Sequence, residues 1–185
     1  MGGYARGMNL LDLPQGYDDP VAALLGFHRR IERQLSTLVQ LPSRLQARGV
    51  DSHSTADAAS LLAFFSGALA IHHADEEELM PVLEMRSAAG ERERVRELRH
   101  RLEAEHRDMD RTWRGLRRPL EGIAEGMHRN LPMDLVQYFR ACQSTHISIE
   151  EAGLHLPAAR CLRAADRASL ERGMQARRTR TYRFQ

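Results

Sequence analysis

Nine histidines are spread along this 185-residue chain: His28, His53, His72, His73, His100, His106, His128, His146 and His155. Two of them stand one helical turn before a glutamate, His72 before Glu76 and His146 before Glu150. On a helix an i, i+4 pair lies on one face, so each imidazole and its carboxylate can address the same point. Imidazole with carboxylate is a donor set suited to iron, and a carboxylate can bridge two ions. Whether that chemistry is available depends on the elements that carry these residues and on which side chains turn inward.

The chain is poor in strand formers, and no stretch alternates apolar and polar residues cleanly. Long segments show helical spacing instead, which predicts an all-α fold. Residues 1–18 mix Gly, Tyr, Pro and Asp without period and read as an irregular N-terminal arm. A first helix is expected from Asp19 as N-cap, with Pro20 at its first position, to about Leu41 before Pro42. A second runs from Ser54 to about Met85, with Pro81 in its last turn, and stops at Ala88-Ala89-Gly90. A third spans about Glu91 to Glu125, with a bend at Pro119 and a stop at Gly126. A fourth spans about Pro132 to His155, before Pro157. Short connections favour antiparallel neighbours, giving an up-down-up-down four-helix bundle over residues 19–160. A shorter helix over about Ala164 to Ala176 and a basic tail complete residues 161–185.

A helical wheel then sorts the candidates. In the first helix Val21, Leu24, Ile31, Leu35 and Leu38 form the apolar stripe, and His28 sits roughly 35° from its centre. In the second, Leu61, Phe65, Ala68, Leu79 and Leu83 form it. His72 lies about 10° and Glu76 about 50° from its middle, and His73 and Glu77 fall roughly 110° and 150° away. In the third helix His106 and Glu105 occupy opposite edges of the stripe, and the wheel does not separate them. In the fourth, His146 and Glu150 straddle the stripe centre, and Glu151 and His155 point away. Each helix therefore brings one imidazole to the core, and two add a carboxylate. Burying these groups without compensation would cost many kcal/mol, and a cation cluster removes that cost.

His28, His72-His73-Ala74-Asp75-Glu76-Glu77, Glu105-His106 and His146-Ile147-Ser148-Ile149-Glu150-Glu151 resemble the hemerythrin-like (HHE cation-binding) family, whose pattern is H…HxxxE…H…HxxxE. The resemblance covers about residues 18–160, with all six positions in order. It implies a non-haem di-iron centre, probed by O2, NO or related small oxidants. The implied metal residues are His28, His72, Glu76, His106, His146 and Glu150, holding two iron ions with an oxygen bridge. The oxygen-carrying hemerythrins carry His-x-x-x-His in the third helix, whereas here Asp110 follows His106 by four and Leu102 precedes it by four. Two six-coordinate irons need roughly twelve bonds, and four imidazoles, two bridging carboxylates and a solvent bridge supply about ten. Extra open positions favour reactivity over reversible O2 storage, and Asp110 is expected to be at most a weak ligand or a base behind the ligands.

Composition narrows the remaining classes. The net charge is +2, from 27 basic residues, every one Arg, against 25 acidic ones, which weighs against a dedicated nucleic-acid binder. Two cysteines make no disulfide framework and fit a reducing compartment. The nearly apolar run Leu61–Ile71 is too short for a bilayer, and Met1–Gly16 has no signal pattern, so the cytoplasm is expected and a membrane partner is not. The tail from Arg172 onward holds five Arg and no acid, read as a solvated end. The leading expectation is O2 or NO binding for sensing, scavenging or delivery. The rivals are a di-iron oxidase, peroxidase or NO-reducing enzyme, and a metal-handling protein.

Overall fold

A computed structural model describes residues 19–182, with side chains through Thr179. The expected arm over residues 1–18 and the last three residues lie outside that range. Among the described residues the chain is all helical: α1 (Pro20–Arg48), α2 (Ser52–Arg86), α3 (Ala89–Ala124), α4 (Met133–Cys161) and α5 (Ala164–Tyr182). The first four form the antiparallel bundle. Arg44 meets Asp57 at one end of α1 and α2, and Phe27 meets His72 nearer the other. Trp113 meets Ser66 and Arg96 meets Glu84 between α2 and α3. Gly153 abuts Leu98, and Gly115 abuts Leu135, between α3 and α4.

The starts follow the capping rules. The Asp19 side chain accepts from the Val21 N–H at 3.1 Å, with Pro20 in the first turn. Asp51 rather than Ser54 caps α2. The Asp51 carboxylate accepts from the Ser54 N–H at 2.7 Å, and the Asp51 N–H donates to the Ser54 hydroxyl at 2.8 Å. This is a reciprocal capping box, and it sets the N-cap three residues before the expected Ser54. Gly126, at φ 80, lies just past the end of α3 in the left-handed region that a residue without Cβ adopts freely.

Proline misleads at two ends. Pro42 and Pro157 lie inside α1 and α4, which run on to Arg48 and Cys161. A helical proline costs about 3 kcal/mol. The far turns offset it by burial, because Leu45 and Ala158 both enter the core. Pro81 and Pro119 are likewise internal.

The core is two apolar clusters with a polar layer between them. One gathers Ile31, Leu38, Phe64, Phe65, Trp113, Leu116 and Phe139. The other gathers Leu24, Leu79, Leu83, Leu102, Leu154 and Leu170. Each bundle helix passes from one cluster to the other through the layer that holds the candidate residues: Leu24–His28–Ile31, Leu69–Glu76–Leu79, Leu102–His106–Met109 and Phe139–His146–Leu154. The helix Ser52–Arg86 is long and apolar enough by composition to cross a membrane, and its apolar side chains are spent on both clusters.

The C-terminal helix is longer than expected, and Arg177 and Arg178 in it are engaged. Arg177 Nε donates to Asp75 Oδ1 at 2.5 Å, and Arg178 donates to Asp75 Oδ2 at 2.7 Å. Asp75 is fully buried, so this pair closes α5 onto α2 one residue before Glu76. Arg177 also pairs with Glu78, and Arg86 reaches Asp166 at 2.8 Å. These two tail arginines therefore answer a buried carboxylate. Removing one partner leaves the others buried and uncompensated. Asp75→Ala is expected to destabilise the chain by about 3 kcal/mol in chemical denaturation and to expose α5 to limited proteolysis. A variant within about 0.5 kcal/mol of the wild type would contradict that role.

Candidate metal centre

Five histidines are buried, His28, His72, His73, His106 and His146, and the other four are exposed. Glu76 and Glu150 are buried with them. Their ligand atoms fall into two groups of four, each mutually within 4.8 Å: His73, Glu76, His106 and His146, and His28, His72, Glu76 and Glu150. Glu76 belongs to both. The structure thus brings together all six residues singled out from the sequence. It places His106 inside and Glu105 at the outer edge, where the wheel left them unresolved.

His73 is the correction. The wheel turns it toward the flank, yet it is buried and stacks on His106 with ring centroids 3.9 Å apart. The cause lies upstream, at Phe64–Ala68, a π-helical turn in which the Leu69 N–H bonds back to the Phe64 carbonyl. Such a turn carries an extra residue, so a wheel of even 100° steps drawn through it misplaces everything beyond. Both members of the His72-His73 pair then face inward. The adjacent Phe64-Phe65, both buried, are the sequence trace of that turn. Asp110 is exposed, and the imidazole that α3 lacks comes from α2 instead.

Two outer carboxylates orient imidazoles: His28 Nδ1 lies 3.0 Å from Glu151, and His146 Nδ1 lies 3.1 Å from Glu105. Glu77 stands 3.5 Å from His106 Nδ1 without hydrogen-bonding it. A carboxylate at Nδ1 holds the proton there and leaves Nε2 free. The Nε2 atoms do turn inward: His28 toward Glu150 at 3.0 Å, His106 toward Glu76 at 3.0 Å, and His106 toward His146 at 3.3 Å. Glu77, expected away from the core, is exposed and stands beside His106. Phe27 lies flat against His72 at 4.6 Å and walls off that side.

The cluster is unresolved as a set of hydrogen bonds. His72 Nε2 lies 2.5 Å from Glu76 Oε1, but neither ring nitrogen of His72 and neither oxygen of Glu76 has a hydrogen-bond partner. His73 Nε2 and Glu150 Oε1 are also buried without one. Orphaned lone pairs that converge in a dry interior fit a cation. Protonation states are strained the same way. Burial pulls His28 down, but Glu150 and Glu151 outweigh it and carry it up to about 9. Burial and the adjacent His106 hold His73 well below its usual value. Burial pushes Glu76 up, but His72, His106 and His146 outweigh it and hold it well below the carboxylate range. Burial and the facing Glu76 push Glu150 up.

The family model of the hemerythrin HHE cation binding domain matches residues 19–156. The chain belongs to this family. An uncharacterized protein of Haemophilus influenzae is 26% identical over 163 residues, covering 88% of this chain and 91% of that protein. No solved structure matches the chain. The cation-binding domain as a class accords with the two donor groups of this HHE chain.

Two outcomes follow for the variants and the metal-free state. His73→Ala is expected to lower metal loading as severely as His72→Ala, and Glu77→Ala only slightly, by elemental analysis. The opposite ranking would mean that the π-helical turn does not set the register. For the metal-free chain, a folded His28 pKa raised from 6.5 to about 9 gives stability that is full below 6.5 and lost as pH rises through 9. His73 acts in the opposite sense, but below 6.5. Thermal melts should therefore show the metal-free chain losing stability between about pH 6.5 and 9, a loss that His28→Gln reduces. His146, which burial pulls down but Glu76 raises overall in the same sense, carries the remainder.

Proposed function

We propose that the chain is a non-haem di-iron protein whose site binds O2, NO or a related small ligand, for sensing, scavenging or delivery. The observation that carries this reading is the pair of buried four-donor groups sharing Glu76, in which both ring nitrogens of His72, both oxygens of Glu76, His73 Nε2 and Glu150 Oε1 have no hydrogen-bond partner. His73, His106 and His146 would hold one ion and His28, His72 and Glu150 the other, with Glu76 between them. Two iron ions held there supply one-electron chemistry toward small oxidants. Five imidazoles with two carboxylates suit iron over the oxygen-rich sites of magnesium and calcium.

The protein's own part is orientation and exclusion. Glu151 and Glu105 fix two of the imidazoles from outside, and the two apolar clusters close the layer above and below. With His73 the site offers five imidazoles and two carboxylates, one donor more than the six residues read from the sequence. A fuller donor set leaves fewer open positions, which supports binding of a small ligand over a multi-site oxidase. The free thiols of Cys142 and Cys161 suit a reducing compartment, which we take to be the cytoplasm.

Anaerobic iron loading should give about two ions per chain by elemental analysis, with a higher melting temperature than the metal-free chain. One ion or none would contradict the dinuclear reading. Reversible spectral changes on adding and removing O2 are expected. Sustained turnover of peroxide or NO would instead favour the enzyme, and zinc retained in preference to iron would favour metal handling.

A further inference from the structure

Gln143 is fully buried, and neither its amide nitrogen nor its amide oxygen has a hydrogen-bond partner. The other buried polar side chains outside the metal centre are all partnered. Ser54 pairs with Asp51, Ser87 donates to the Leu83 carbonyl, Thr112 donates to the Asp108 carbonyl, and Asp75 takes Arg177 and Arg178. A buried amide left wholly unsatisfied is costly, so its position calls for a partner that protein atoms do not supply.

Its place in the fold names that partner. Gln143 stands one turn before His146 on α4, and two turns separate it from Glu150, within roughly 20° on the helix. One turn beyond the centre on the other three helices stand Ile31, Leu69 and Met109, all apolar and buried. The three facing positions are therefore apolar, and neither amide atom of Gln143 finds a partner there. The polar groups on its own face are those of the centre, where His73 Nε2 is also unpartnered.

We propose that Gln143 is the residue that hydrogen-bonds the small ligand taken up at this centre. This rests on the di-iron reading above and adds to it a ligand class: a small anion or polar diatomic that accepts a hydrogen bond from the amide N–H. An apolar wall at the same place would admit the ligand without selecting for its charge. The amide makes the pocket favour ligands that gather negative charge, because a donor in a low-dielectric site is worth more than one in water.

The test uses the full iron-loaded chain with azide as the probe, in the wild type, Gln143→Leu and Gln143→Met. Iron content reports on the centre, the azide dissociation constant reports on the ligand, and the infrared stretch of azide reports on its hydrogen bond. Both variants are expected to load iron as the wild type does and to melt no lower when metal-free, since an unsatisfied amide has been removed. Their azide affinity should fall roughly tenfold, the value of one hydrogen bond, with a shifted azide band. Two variants of different shape guard against a packing defect in either one. Equal affinity and an unmoved band in iron-loaded variants would overturn the role of Gln143 while leaving the di-iron reading intact. An iron-loaded wild type that takes up no azide would overturn it as well. A wild type that loads no iron would overturn the di-iron reading, and this inference with it.

Discussion

Five imidazoles and two carboxylates meet in the interior of one helical bundle, and the rest of the structure is arranged around that meeting. In a dry core such groups are tolerated only when their lone pairs are answered. Here the protein answers them incompletely. Glu76 is held ionised by the histidines around it, while the Glu150 carboxyl is pushed the other way by burial and by Glu76 itself. A proton on His28 compensates in part in the metal-free state, and Glu150 is pushed toward its neutral form. Cations placed in the two donor groups would compensate fully, displacing protons as they bind.

The surrounding architecture serves this layer from three directions. Above and below it, separate apolar clusters supply the folding energy that the polar layer cannot. From the outside, Glu151 and Glu105 reach the Nδ1 atoms of His28 and His146, and Glu77 stands beside that of His106. From the C-terminal side, Arg177 and Arg178 neutralise Asp75, whose burial next to Glu76 would otherwise add a further unpaired charge to the same helix. The acidic stretch Asp75–Glu78 is thus divided by direction. Asp75 and Glu78 face the C-terminal helix, Glu76 faces the centre, and Glu77 stands outside His106.

Much of this was legible in the sequence. Apolar periodicity gave the four bundle helices, and the His-x-x-x-Glu spacing identified two residues on each of α2 and α4. Four things were not legible. Prolines 42 and 157 read as terminators because the local cost is visible and the burial of Leu45 and Ala158 beyond them is not. His73 read as outward because an even wheel cannot register a π-helical turn, and that single extra residue changed the count of imidazoles from four to five. The C-terminal arginines read as solvated because Asp75 sits in a run of acids, with nothing in the spacing to show that it is buried. Gln143, an ordinary polar residue near an apolar stripe, gave no signal; its burial without a partner is a property of the assembled bundle.

The central claim is that Glu76 lies between two ions held by different helices. Iron anomalous scattering from crystals of the loaded chain tests it most directly. The account predicts two separate peaks, one beside His73, His106 and His146 and the other beside His28, His72 and Glu150, with the Glu76 carboxylate between them. A single peak, or two peaks with His73 turned out of the bundle, would contradict it.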